Sequence, residues 1–220
     1  MKITKKSLLT ILFLLIAGLA AEAQIIRGGI IAGMNATQVD GDEVFGYHKY
    51  GWNLGATAMI PITKKKWFFA LETTYSQKGA YQAPIWADSL KDGSYKLNLN
   101  YLEVPMLVIF EDKGGLTFGA GASLGRLIKV EEWENGRRDT NTTLKGPYNT
   151  NDFDILLDCR FKLYKKLKFN FRYSYSMAKI RNRTYDNGIS IWDRKQYNNM
   201  LTFRLIWIFN EKIKAYVKKK

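Results

Sequence analysis

Two adjacent segments of the chain, residues 153–163 and 167–177, alternate between apolar and polar side chains. The apolar positions are Phe153, Ile155, Leu157, Cys159, Phe161 and Leu163 in the first segment, and Leu167, Phe169, Phe171, Tyr173, Tyr175 and Met177 in the second. A period of two predicts β-strands rather than helices. Because the connection at Lys165 and Lys166 has room only for a tight turn, the two segments are predicted to form a hairpin.

The polar face of this hairpin carries full charges, among them Asp154, Asp158, Arg160 and Arg172, whereas the other face is large and apolar. A soluble sheet packs its apolar face on a dry core, but a membrane barrel turns that face toward lipid. Each segment has about the 9–11 residues that a tilted strand needs to cross a bilayer. We therefore predict lipid on one face and a polar barrel interior on the other. A soluble lipocalin-like barrel is disfavoured because it would reverse this arrangement.

Similar patterns predict further strands at residues 27–35, 50–60, 67–77, 95–110, 116–129 and 200–209. The connections alternate in length. Long polar segments at residues 36–49, 79–94, 131–151 and 178–196 alternate with short ones at 61–66, 111–115 and 165–166. Long outer loops and short periplasmic turns are typical of bacterial outer-membrane barrels. The predicted fold is all-β, an eight-stranded antiparallel up-and-down transmembrane β-barrel with long extracellular loops and short periplasmic turns.

The predicted fourth strand changes register along its length. Its apolar face begins with Leu97, Leu99 and Tyr101, but from Leu102 onward the apolar residues occupy the other parity. Such a slip indicates a β-bulge near Tyr101, or else an unusually apolar barrel interior beside Pro105. The sequence leaves both alternatives open.

The N-terminus has the composition of a secretory signal peptide, since lysines precede the apolar residues 8–20 and Ala21-Glu22-Ala23 follows. Cleavage after Ala23 predicts a signal peptide at 1–23, an outer-membrane β-barrel domain at 24–210 and a basic C-terminal tail at 211–220. The apolar run is shorter than the ~20 residues of a membrane-spanning helix. Cleavage would leave 220 − 23 = 197 residues, enough for one domain. The expected location is the outer membrane of a Gram-negative bacterium.

The chain is strongly basic, with a formal charge of +14, and loss of three lysines and one glutamate with the signal peptide would leave +12. An exported protein meets no nucleic acid, and its lysines collect in predicted turns and at the C-terminus. Outer-membrane lipid and lipopolysaccharide, which carry anionic headgroups, are therefore the expected partners. The single cysteine, Cys159, cannot form an internal disulfide and is predicted to face lipid.

An eight-stranded barrel has an interior that side chains can fill, so a diffusion pore is not expected. The interior faces of the predicted strands carry seven charged residues: Glu72, Glu103, Asp154, Asp158, Arg160, Arg172 and Arg204. We expect a network of carboxylate–arginine pairs, because an unpaired charge away from water is costly. A proton relay or acid–base pair is the alternative interpretation of the same residues.

Aromatic residues are also placed in predicted extracellular segments, where no lipid requires them. They are Tyr81, Trp86, Trp133, Tyr148, Tyr185 and Trp192. We predict them as partner contacts, with mutual packing over the barrel mouth as the alternative. Nearby arginines are candidates for binding lipopolysaccharide or surface glycans: Arg137, Arg138, Arg181, Arg183 and Arg194.

These features favour a non-enzymatic, monomeric barrel without a cofactor, which presents loops for interaction or supports an envelope or secretion assembly. One alternative is a barrel enzyme acting on lipid or peptide through His48 or the interior carboxylates. Another is a narrow channel for small solutes. His48 is the only histidine, and a zinc site needs several His or Cys ligands.

Residues 50–81, 95–110 and 115–125 resemble the PorT-like family of outer-membrane β-barrel proteins. The most specific motifs are Ser76-Gln77-Lys78-Gly79 and Asn100-Tyr101-Leu102-Glu103-Val104-Pro105. The resemblance implies a small outer-membrane barrel, and the family's namesake is tied to a protein-secretion system. The tail at 211–220 departs from barrels that end on the aromatic residue of their last strand, a part that Phe209 could play here.

Overall fold

The computed structural model describes residues 26–62, 66–84, 93–112, 114–186 and 188–210, and the chain forms ten β-strands within them. They are β1 (Arg27–Asp40), β2 (Lys49–Pro61), β3 (Trp67–Gln82), β4 (Tyr95–Glu111), β5 (Leu116–Glu134), β6 (Arg137–Arg138), β7 (Asn151–Tyr164), β8 (Leu167–Ser176), β9 (Arg181–Asp186) and β10 (Ile191–Ile208). No helix in these ranges is long and apolar enough to span a membrane. The predicted signal peptide and basic tail lie outside the described residues.

Eight strands form a closed antiparallel barrel. Neighbours pair in the order β1-β2-β3-β4-β5-β7-β8-β10, and β1 pairs with β10 to complete the ring. The other two strands are additions at the end with long loops: β6 pairs with the end of β5, and β9 pairs with the start of β10. The predicted fold class is therefore confirmed, since closure leaves no free barrel edge.

Side chains alternate across the barrel wall as the sequence predicts. On β8 the inward residues Lys168, Asn170 and Arg172 are buried, whereas the aromatic residues between them face out. On β10 the inward Arg204 is 1% exposed and the outward Phe203 is 44% exposed. This arrangement is reversed relative to a soluble protein, because the outer surface is apolar and the interior holds the charges.

Strand β4 corrects one expectation. Leu97, Leu99 and Tyr101 were predicted on the lipid face, but they point inward and are completely buried. The odd-numbered residues of β4 point into the barrel along the whole strand, and those near both ends of the strand are apolar. A register shift does occur beside Tyr101, but the extra residue is Ile128 on β5, because Asn100 pairs with Lys129 and Tyr101 pairs with Leu127. Each of the two sequence alternatives is thus partly correct.

The strands are longer at the loop end than predicted. β1, β3, β5 and β10 each extend into segments expected to be loops, and residues 178–196 form most of a hairpin rather than an irregular loop. These extensions are more polar than the lipid-facing parts. The hydrophobic alternation that located the strands is therefore lost where the strands leave the membrane, although strand pairing continues.

Candidate functional site

The barrel interior is the first candidate site, and its short-turn end is closed by apolar side chains. One buried cluster fills this end: Ile31, Met59, Phe68, Ala70, Leu107, Ile109, Leu156, Ile206 and Ile208. They come from six different barrel strands and converge because their parity points inward. Water and ions therefore meet a packed apolar layer at the periplasmic end.

Above this layer lies the arginine cluster, which we define as Glu72, Asp158, Arg160, Arg172 and Arg204. Glu72 contacts all three arginines, with oxygen–nitrogen distances of 2.9 Å to Arg160, 3.0 Å to Arg172 and 3.1 Å to Arg204. Asp158 also faces all three, at 2.6 Å, 2.7 Å and 3.6 Å in the same order. Asn170 donates to Asp158 and accepts from Arg204. Two carboxylates thus compensate three guanidinium groups.

The lysine cluster, defined as Lys78, Glu103, Asp152 and Asp154, lies nearer the loop end. The Lys78 ammonium is 2.6 Å from Asp154, 2.8 Å from Glu103 and 3.1 Å from Asp152. The Ser176 hydroxyl lies 2.7 Å from Asp152 and 3.1 Å from Asp154, so its single proton can be donated to either aspartate. One cation therefore serves three carboxylates, so the excess formal charge here is opposite in sign to that of the arginine cluster.

The structure divides the seven charged residues predicted for the interior between the two clusters. Five of them form the arginine cluster, whereas Glu103 and Asp154 have lysine rather than arginine as their cation. Sequence reasoning missed Lys78 and Asp152 as members of the network. The signal was available, because Lys78 shares the inward parity of Glu72, and Asp152 shares that of Asp154.

The loop end of the interior is closed by a second apolar layer, which contains Val39, Ala80, Tyr95, Leu97, Leu99, Tyr101, Leu127, Val130, Tyr148 and Ile180. Over it lies Glu132, which is 1% exposed. Glu132 accepts hydrogen bonds from Tyr95 (2.8 Å), Thr142 (2.6 Å) and Arg181 (2.9 Å). These bonds tie the segment after β6 and strand β9 to the end of β5.

The structure places the predicted loop aromatics in different environments. Tyr148 is buried (3% exposed), so it packs in the mouth rather than presenting a contact surface. Tyr81 lies on β3 and Trp133 on β5, rather than in loops. Tyr185 and Trp192 stack on each other with ring centroids 6.0 Å apart, and the Tyr185 hydroxyl donates to the Gly41 carbonyl. Trp86 lies outside the described residues.

Several of the arginines predicted to bind glycans form ion pairs with carboxylates of the protein itself. Arg181 and Arg183 bind Glu132, and Arg183 also forms an ion pair with Glu134. Arg194 lies 3.5 Å from Glu43. Arg137 and Arg138 are exposed on β6, and Arg138 lies 3.8 Å from Glu131.

Both charged clusters of the barrel interior are buried. A general acid or base must come within hydrogen-bond reach of a substrate, but both clusters lie between the two packed apolar layers. His48 is exposed in the first loop. In the described part of the chain, no three His, Cys, Asp or Glu side chains are grouped to hold a metal ion. The arrangement of the two clusters can neutralise charge and fill the barrel interior.

A closed eight-stranded barrel with a lipid-facing apolar exterior and a filled polar interior defines the class of small outer-membrane β-barrels. The chain belongs to the family described as outer membrane protein beta-barrel domain, whose model matches residues 23–182. The protein is accordingly located in the outer membrane, with lipid around its outward-facing strand residues.

The chain is similar to several solved structures. The chain is 13% identical to Neisserial surface protein A, with a TM-score of 0.50 over 83% of this chain and 97% of that one. The attachment invasion locus protein Ail of Yersinia pestis is 12% identical, with a TM-score of 0.49 over 83% of this chain and 98% of that one. No curated protein matches the sequence. At 13% identity the likeness to Neisserial surface protein A shows the fold and does not transfer a function.

Proposed function

We propose that the protein is a non-enzymatic outer-membrane barrel that presents its extracellular strands and loops to a partner. The observation that carries this proposal is the filled interior. Among the described residues, two apolar layers enclose two charged clusters, which leaves no path for a solute through the interior and no interior acid or base within reach of a substrate. The parts that can meet a partner are therefore outside the barrel.

The extracellular side supports this proposal through its exposed apolar side chains. Phe45, in the loop after β1, is 85% exposed, and Ile191, at the start of β10, is 70% exposed. Neither residue lies on the strand segments that face lipid. The loops that carry them are held in place, because Tyr185 of the β9–β10 hairpin donates to Gly41 of the first loop. We infer that these two side chains contribute to the surface that meets the partner.

Several finer assignments belong to the same proposal. We infer a Gram-negative source and removal of residues 1–23 by signal peptidase; the family match, which begins at residue 23, supports the second. We also infer a monomeric barrel, with lipopolysaccharide as a neighbour and another envelope protein as the loop partner. Support of a secretion assembly, which the PorT-like resemblance suggests, is the other role that we propose for the barrel.

Site-specific photo-crosslinking in intact cells tests the proposal. A photoreactive residue at position 45 or 191 is expected to give discrete protein adducts on denaturing gels. The matched control is position 205, where Leu205 is 44% exposed toward lipid and should give no protein adduct. Adducts that are the same at all three positions would contradict loop presentation.

Conductance separates the channel alternative from this proposal. The purified barrel in a planar bilayer is expected to show no stable single-channel steps, because both ends of the interior are packed. Reproducible unitary conductance would instead support a small-solute channel.

A further inference from the structure

A polar groove lies on the outside of the barrel wall, just beyond the lipid-facing residues. It has a volume of about 210 Å³ and is lined by Lys49, Gln77, Lys96, Asn98, Asn100, Lys129 and Glu131, together with Lys78, whose ammonium group points into the barrel. These residues come from β2, β3, β4 and β5, which are consecutive in the barrel. The groove is therefore a feature of the ordered wall rather than of a loop.

Strand register places the groove at the membrane boundary. On β4 the last lipid-facing residue is Leu102, which is 47% exposed, and the next outward residues toward the loop end are Asn100, Asn98 and Lys96. Asn100 pairs with Gln77 on one side and Lys129 on the other. Successive outward residues on a strand are about 7 Å apart. Asn100 therefore lies about one such step beyond the last lipid-facing residue, which is the depth of the lipid headgroups.

Two irregularities shape the groove. Gly79 pairs with Asn98, and a Cβ atom there would lie 2.0 Å from the Leu97 carbonyl oxygen, so the wall carries no side chain at this point. On β5 the bulge at Ile128 turns Lys129 to the outer surface beside Asn100. Gly79 ends the Ser76-Gln77-Lys78-Gly79 motif, so this motif has a structural role in opening the groove.

The charge of the groove rim is positive. Lys49, Lys96 and Lys129 supply three ammonium groups, whereas Glu131 supplies the only outward-facing carboxylate of the lining. Glu131 lies 3.1 Å from Lys129 and compensates part of that charge. Lys96 lies over the Trp133 ring at 5.4 Å, and Lys49 donates to the Tyr50 carbonyl. Two positive charges remain in excess at headgroup depth.

We propose that this groove binds the phosphorylated headgroup of an outer-leaflet glycolipid. The lysines would hold the phosphates, and the Asn98 and Asn100 amides would face the sugar hydroxyls. The acyl chains would continue along the apolar wall below, over Leu102 and Val104, which are both exposed to lipid. An anion that also carries acyl chains fits both surfaces, whereas a soluble anion would use only the groove. The inference rests on the proposed function, in which lipopolysaccharide is a neighbour of the barrel, and it assigns the site that would hold such a lipid.

Native mass spectrometry of the purified full chain in detergent can test this site. The probes are a bisphosphorylated glucosamine disaccharide lipid, its dephosphorylated form, phosphatidylcholine and inorganic phosphate. The groove variant is K49Q/K96Q/K129Q. The control variant K145Q/K179Q/K195Q removes the same charge from exposed positions elsewhere on the extracellular side. A heat-dependent shift in gel mobility shows that each variant is folded.

Wild-type protein should bind the phosphorylated glycolipid at least about tenfold more tightly than the dephosphorylated form, as expected for two uncompensated cations near the phosphates. At about fivefold per lysine, the groove variant should lose on the order of a hundredfold in affinity. The control variant should change by less than about twofold, because its lysines are solvated and distant. Equal loss in both variants, or equal binding of the two glycolipids, would overturn the proposal, as would tighter binding of free phosphate.

A second variant keeps the test independent of net charge. Asn98→Phe would fill the groove without changing charge, and it should weaken glycolipid binding by about tenfold through steric exclusion. Unchanged affinity in this variant would refute the groove as the binding site. Crosslinking at positions 45 and 191 should be the same in the groove variant, so this inference and loop presentation can fail separately.

Discussion

Replacing Glu72 with glutamine should destabilise the barrel more than almost any other single interior change. Glu72 is completely buried and lies within 3.1 Å of all three arginines of the arginine cluster. The substitution keeps the size of the side chain but raises the formal charge of the cluster from +1 to +2. Removing one partner of a buried ion pair typically costs 3–5 kcal/mol, so we expect a loss of about 4 kcal/mol in the free energy of unfolding.

Urea unfolding of the barrel in lipid vesicles, followed by gel mobility without boiling, measures this loss. Thr74→Val is the matched control, since Thr74 lies two residues away on β3, is 1% exposed, and its hydroxyl has no hydrogen-bond partner among the described residues. The control should change stability by less than about 1 kcal/mol. Adding Arg204→Met to Glu72→Gln should recover part of the loss, because it restores the original charge balance. A Glu72→Gln protein within about 0.5 kcal/mol of wild type would refute the neutralisation argument.

Three other measurements test separate features. Lys78→Met should cost about 3–5 kcal/mol in unfolding stability, because three carboxylates lose their shared cation; a neutral effect would contradict the lysine cluster. Burial raises the pKa of Asp42 in the first loop from 3.8 to about 7. The folded loop therefore favours the protonated form, and its stability should fall as pH rises from about 4 to 7, by up to tenfold in the opening equilibrium per pH unit. Hydrogen exchange corrected for intrinsic rate should show this dependence, and Asp42→Asn should remove it. Gly121→Ala would place a Cβ 2.0 Å from the Met106 carbonyl oxygen and should cost about 1–3 kcal/mol, clearly more than Gly119→Ala, whose nearest neighbour is at 3.3 Å.

The number and order of the eight barrel strands, and which of their side chains face lipid, could be predicted from the sequence. This is because lipid imposes a strict alternation of apolar and polar residues. On β7 and β8 every second side chain must be apolar to face acyl chains, so a charged residue such as Arg172 has only the interior available. Glu72 and Asp158 alternate in the same way with lipid-facing residues, so their sequence positions also predict that they lie in the barrel interior. Their pairing followed from the cost of leaving buried charges alone.

The features that sequence reasoning missed lie where lipid no longer acts on the chain. The loop-end part of β4 carries apolar residues on its inward side. Leu97 and Leu99 therefore look like lipid-facing residues in the sequence, although they belong to the second apolar layer. In the β9–β10 hairpin the apolar residues Tyr185, Ile191 and Trp192 lie together near the turn, and the rest is polar, so the hairpin has no alternating hydrophobic pattern. The sequence predicts an exposed Tyr148 because the residues that bury it are distant in the chain. Arg181 of β9 donates both to the Tyr148 hydroxyl and to Glu132 of β5. Such contacts depend on the folded arrangement rather than on local pattern.

The spacing of the arginine cluster along the chain has a consequence for biogenesis. Glu72 is 88 residues from Arg160, 100 from Arg172 and 132 from Arg204. The C-terminal strands therefore carry three cations but only one of their two shared carboxylates, Asp158, and the other arrives from the N-terminal half. A partly assembled sheet would expose the excess cations to hydrocarbon at prohibitive cost. Insertion into the bilayer should consequently be concerted with ring closure, and a chain truncated before β10 should stall at the membrane surface and be cleared by periplasmic proteases.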